Sequence, residues 1–123
     1  MEEVKKDKLE QIFLMQKAFD TELEKSRGLE DISMEKWLQM QTLAMISELA
    51  ELLQEINFKW WKNPIEIKPD NVKEELCDIL HFFIGMCIRA GLSADELFEK
   101  YCQKNKENFL RQQGKSMKKG YEI

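Results

Sequence analysis

The sequence predicts an all-α protein, a compact four-helix bundle formed as a single domain over 123 residues. Three observations predict it. Four segments carry apolar residues at a period of about 3.6. No segment shows the apolar–polar alternation of a half-buried strand. Short connections marked by Gly, Pro and capping residues separate the segments, with no repeat, low-complexity tract or linker between them.

The first helix is expected over about residues 3–26, with Leu9, Ile12, Phe13, Gln16, Phe19 and Leu23 along one side and "RGLEDIS" ending it. Ser33 is placed to cap the second, which continues through Trp37, Leu38, Ile46, Leu49 and Leu53 toward Trp60. The segment "KNPIEIKPD" stops it, because proline lacks the amide hydrogen and clashes with the preceding turn. Asp70 is the expected N-cap of the third helix, which closes at Gly91. Its stretch "ELCDILHFFIGMCIRA" is apolar almost all round, which predicts a place at the centre of the bundle. Ser93 and Glu96 have capping-box spacing and open a fourth helix ending near Gly114. Residues 114–123, with Lys115, Lys118 and Lys119, are expected to form a frayed basic tail.

Charged residues make up 34% of the chain and hydrophobic ones 43%, and no apolar run has the length of a membrane span. The start, "MEEVKKDKLEQ", is charged where a signal peptide would be apolar, so a cytoplasmic location without membrane contact is expected. A net charge of −4 argues against a nucleic-acid partner. Cys77, Cys87 and Cys102 lack a metal-binding spacing and sit in apolar-periodic segments, so they are expected as reduced core or near-core thiols. A single histidine, His81, is insufficient for a multi-histidine zinc site and argues against a di-iron bundle, which uses Glu-x-x-His twice. It is expected as a core histidine satisfied by hydrogen bonding.

The chemistry lies in carboxylates. Glu48 and Glu51 are neighbours on the second helix with Glu55 on the same stripe, and Glu75 and Asp78 repeat the spacing on the third, with Glu74 four before Asp78. Solvated helix faces are the ordinary reading of such stretches. On the apolar third helix that reading is costly, because buried charges need a partner or a metal, and Arg89 lies about three turns from Asp78. Antiparallel packing of the two helices would gather Glu48, Glu51, Glu75 and Asp78 into an all-oxygen cage suited to Mg²⁺ or Mn²⁺, hence to hydrolysis of a phosphate ester or anhydride. On the fourth helix, Tyr101, Lys104, Asn108 and Arg111 fall along one face and offer a phosphate grip, although the same spacing describes a surface helix whose cations face water.

Taken together, "ISELAELLQEINFKWWK", "EELCDILHF" and "YCQKNKENFLRQ" resemble, in that order, the MazG-like all-α nucleotide pyrophosphohydrolases, and within them the dimeric dUTPase family. The resemblance implies hydrolysis of dUTP to dUMP and pyrophosphate. It implies Mg²⁺ held by Glu48, Glu51, Glu75 and Asp78, with Glu48 orienting or deprotonating the attacking water. Lys59, Lys104 and Arg111 would neutralise the phosphate chain, and Tyr101 and Asn108 would complete the grip. Gln16 would read the base, while Trp60 and Phe82 would pack against base or sugar. It also implies a homodimer or a dimer of dimers. The chain lacks the insertion that larger members carry between the third and fourth helices, which leaves dCTP or a modified triphosphate as alternative substrates. A non-catalytic helical interaction protein, with the carboxylate stripe as plain surface, is the alternative from a different class.

Overall fold

The computed structural model describes residues 7–122. They form four helices, α1 (Lys8–Arg27), α2 (Met34–Glu55), α3 (Pro69–Arg89) and α4 (Ala94–Gln112), with no strand among the described residues. The all-α expectation holds. The start of the predicted first helix, residues 3–6, lies outside the described residues.

Local chemistry sets most of the helix ends. The Asp7 carboxylate accepts from the Glu10 amide at 2.9 Å, and Gly28, at φ 66°, caps α1 at its other end. Ser33 and Ser93 cap α2 and α4 as expected, each accepting at 3.1 Å from the amide three residues on. Two ends differ from the sequence reading. α2 stops at Glu55, short of Trp60. Asn57 there adopts φ 57°, and its side-chain amide donates to the Ile65 carbonyl (2.9 Å) and accepts from the Ile65 amide (2.8 Å), which closes a loop carrying Lys59 and Trp60. α3 starts at Pro69 after Lys68 and is not capped by Asp70. The ring of Pro69 already holds a helical φ and has no amide to satisfy, so Asp70 moves into the first turn, where its charge suits the helix dipole.

Two units divide the chain, Met1–Gly91 and Leu92–Ile123. In the first, α3 packs against both α2 and α1. Trp37 and Ile84 are fully buried, with Phe13 and Cys87 beside them in the core. Arg89 ties this end together: its guanidinium donates to the Ile32 carbonyl, pairs with Glu24 at 3.6 Å and lies 5.8 Å from the Trp37 ring centre. As expected, α3 is the helix that meets both neighbours, but it is not covered all round. Ile84, Gly85 and Cys87 are its buried residues, whereas Leu76, Leu80 and Phe83 are exposed, because only two helices of this unit flank it. Cys77 and Cys102 are also exposed, contrary to the near-core expectation, and all three cysteines are free thiols.

In the second unit, Gly114 (φ 72°) reverses the chain after α4. The Lys115 amide donates to the Leu110 carbonyl and that of Gly114 to Arg111, a Schellman arrangement. The segment that follows is not frayed. The buried Ser116 hydroxyl donates to Glu107 at 2.5 Å, and Arg111 pairs with Glu107 at 3.2 Å and lies 5.3 Å from the Tyr121 ring centre. No single helix among the described residues is long and apolar enough to cross a membrane.

Candidate active site

A helical turn separates Glu48 from Glu51 on α2, and the packing of α2 on α3 brings Glu75 to them. One carboxyl oxygen from each of the three lies within 4.8 Å of the others. The Glu48 and Glu75 Oε2 atoms are buried and have no hydrogen-bond partner. Like charges held this close resist ionisation. Glu48 is pushed from 4.5 up to about 7, first by loss of solvation, then by close contact with Glu51 and Glu75, then by the charges of Glu51 and Asp78. Glu75 is also raised, again chiefly by desolvation, with its contact to Glu48 opposing the rise.

Asp78 stands outside this close group of three. It lies one turn beyond Glu75 on α3, its charge acts on both Glu48 and Glu75, and it lines a cleft together with Glu48. The donor set is all oxygen, and two of its oxygens are buried and unpartnered; a hard divalent cation fits both features, since it would repay the desolvation and cancel the repulsion.

The adjoining cleft has a volume of about 350 Å³, within the range of small-ligand sites. Gln16, expected at the base, and Phe82, expected against base or sugar, line it with Glu48 and Asp78. Gln16 is buried, donating from Nε2 to Asp20 Oδ1 at 3.0 Å and meeting His81 Nδ1 through Oε1 at 2.7 Å. His81 is therefore hydrogen-bonded as expected but exposed rather than core, because it faces the cleft. Asp20 was not foreseen. The available signal was its position four residues after Gln16, a spacing at which glutamine and aspartate side chains meet on a helix.

Residues 8–90 match the family model described as dUTPase. The chain belongs to the dUTPase family. Over shorter stretches it is similar to two proteins named dCTP pyrophosphatase. That of Enterobacteria phage T4 is 44% identical over 50 residues, covering 38% of this chain and 29% of the relative. That of Enterobacteria phage LZ5 is 51% identical over 41 residues, covering 33% of this chain and 24% of the relative. The matched stretch thus spans less than a third of the length of either relative. No solved structure gives a significant match.

The span matched to the dUTPase family contains the carboxylate group, Asp78, Gln16 and Phe82, and also Lys59 and Trp60. The last two do not line the cleft. Lys59 borders a separate hollow of about 100 Å³ in the loop after α2, its ammonium 5.8 Å from the Phe58 ring centre. Trp60 is 87% exposed and sits edge-to-face with Trp61, ring centres 5.6 Å apart. Glu55 accepts from Asn71 at 3.4 Å and links the end of α2 to the start of α3, while Glu74 is exposed. Tyr101, Lys104, Asn108 and Arg111 fall beyond the matched span, on α4 of the second unit. The first three are exposed, and Arg111 is engaged by Glu107. Glu107 in turn is held below the usual carboxylate range, chiefly by the Ser116 hydroxyl.

Proposed function

We propose that the protein is a Mg²⁺-dependent nucleoside triphosphate pyrophosphohydrolase acting on a pyrimidine deoxynucleotide, with Mn²⁺ as a possible substitute ion. The observation that carries this reading is the three-carboxylate group from two helices, with its buried unpartnered oxygens, opening into a cleft of nucleotide-compatible size. In the reaction water adds to phosphorus, the anhydride between the α- and β-phosphates breaks, and pyrophosphate leaves with a nucleoside monophosphate.

Glu48, Glu51, Glu75 and Asp78 are the proposed metal ligands. A divalent cation held there supplies Lewis acidity and neutralises phosphate charge. Orienting the attacking water is assigned to Glu48, a choice supported by its membership of both the cluster and the cleft. Of the substrate contacts expected from the sequence, Gln16 and Phe82 line the cleft and are assigned to the nucleoside.

dUTP is proposed first as substrate, a choice supported by the match to the dUTPase family. The dCTP alternative is supported by the short similarities to the two phage enzymes. The protein is further proposed to act in the cytoplasm as a homodimer. Exposed Leu43, Ile46 and Leu53 recur along α2 at three- and seven-residue spacing, an apolar row that a second copy would cover.

The test is release of pyrophosphate from a panel of deoxy- and ribonucleoside triphosphates, with Mg²⁺ and with chelator. Chelator-sensitive release that falls at least about a hundredfold in Glu48→Gln is the expected result. Folded protein that turns over no triphosphate would instead favour a non-catalytic interaction protein.

A further inference from the structure

The Gln16 amide has a fixed polarity. An ionised carboxylate only accepts, so the NH₂ end of Gln16 must face Asp20 and its oxygen must face His81, which supplies Nδ1–H. Reversing the amide would set oxygen against oxygen at Asp20. Room for this arrangement comes from α3: a Cβ at position 85 would lie 3.0 Å from Asp20 Oδ2 and 3.9 Å from Gln16 Nε2, so glycine there lets the carboxylate rest against the helix. One Nε2 proton is used by Asp20 and the other is left for a ligand. Side by side in the cleft are thus an acceptor, the Asp20 carboxylate, and a donor, the Gln16 N–H.

The two pyrimidines differ at the matching edge. Cytosine presents an amino donor next to the N3 acceptor, which is complementary to this pair, and carboxylates are established acceptors for that amino group. Uracil presents O4 and N3–H, the reverse order, which sets a carbonyl against the carboxylate and N–H against N–H.

We propose that Asp20 is a specificity-determining residue, forming with Gln16 an acceptor–donor edge that selects cytosine over uracil, so that the triphosphate taken is that of cytosine. This rests on the pyrophosphohydrolase reading and reverses its order of substrates. Glu48 and Asp78 line the same cleft, so a base held at Asp20 leaves its phosphate chain on the side of the acidic group.

Calorimetric titration of dCMP and dUMP, in buffer containing Mg²⁺, into the wild type, Asp20→Asn and Gly85→Ala tests the proposal without requiring turnover. The wild type is expected to bind dCMP at least about tenfold more tightly than dUMP. Asp20→Asn, whose amide can turn a donor toward O4, should abolish or invert that ratio. Gly85→Ala adds no polar group but presses on Asp20 Oδ2, and should reduce the ratio several-fold. Should Asp20→Asn fail to fold by circular dichroism, Gly85→Ala decides. The proposal is overturned by a wild-type ratio near one or favouring dUMP, by variants that keep the wild-type ratio, or by binding of neither nucleotide. Pyrophosphate release judges the underlying reading separately. Release from dUTP alone would overturn the cytosine edge and leave the hydrolase standing, whereas a dCMP preference without release from any triphosphate would do the opposite.

Discussion

Replacing Glu48 with glutamine tests the electrostatics of the carboxylate group through folding stability in metal-free buffer. In the folded chain Glu48 titrates at about 7 rather than 4.5, so between those values the folded state holds a proton that the unfolded state has released. The associated stability is fully present below 4.5, is lost as pH rises through 7, and stays absent above it. At ~1.4 kcal/mol per pH unit the separation is worth ~3 kcal/mol undamped, and solvent entering from the cleft reduces this to about 1–2 kcal/mol. Urea unfolding at pH 4, 7 and 8.5 with chelator should show the wild type losing that amount relative to Glu48→Gln between the lowest and the highest pH. Above pH 7, added Mg²⁺ should raise the wild-type midpoint and leave that of the variant less affected, since a ligand bound only by the folded state stabilises it by mass action. Parallel pH profiles for the two proteins in chelator would refute the reasoning, as would a wild type that gains stability relative to the variant as pH rises.

Trp37→Ala empties the most buried large side chain and removes the ring beneath Arg89, so urea unfolding should show a loss of about 3–5 kcal/mol. Ser116→Ala deprives Glu107 of its hydroxyl donor. NMR titration should then find the Glu107 carboxyl back toward its ordinary value, and trypsin should cut faster after Lys118 and Lys119. Ile46→Glu places a charge in the exposed row on α2, and light scattering should find a dimeric wild type and a monomeric variant, with an unchanged mass in both cases contradicting the proposed interface.

What the sequence shows well is what neighbours along the chain decide. The serine caps at Ser33 and Ser93, the turn at Gly28 and the all-helical class all depend on contacts within one or two turns. The two misplaced helix ends are also local, but at each of them a second residue competes. Pro69 displaces Asp70 as the start of α3, and Asn57 ends α2 by bonding to Ile65, eight residues away in sequence. The exposed apolar side of α3 could not be read, because an apolar helix has the same pattern whether a core or another molecule covers it. Within the site, the spacing along α2 and the burial cost on α3 pointed to Glu48, Glu51 and Glu75. Asp20 and the place of His81 in the cleft were missed: Asp20 meets Gln16 within α1, at a spacing that many unpaired side chains share, and His81 reaches Gln16 only through helix packing.

Helix α3 divides its tasks along its axis: Glu75 and Asp78 lie in its first half, and Ile84, Cys87 and Arg89 in its second. Nine residues separate Glu75 from Ile84, about 14 Å of helix rise. Amide protons should therefore exchange on two clocks within this one helix. Those near Ile84 are slowest and report global unfolding, while those around Glu75 open earlier when no cation is bound. Loading the acidic group would bring the two clocks together, so exchange rates at one end of α3 would register occupancy of a site whose chemistry leaves the other end untouched.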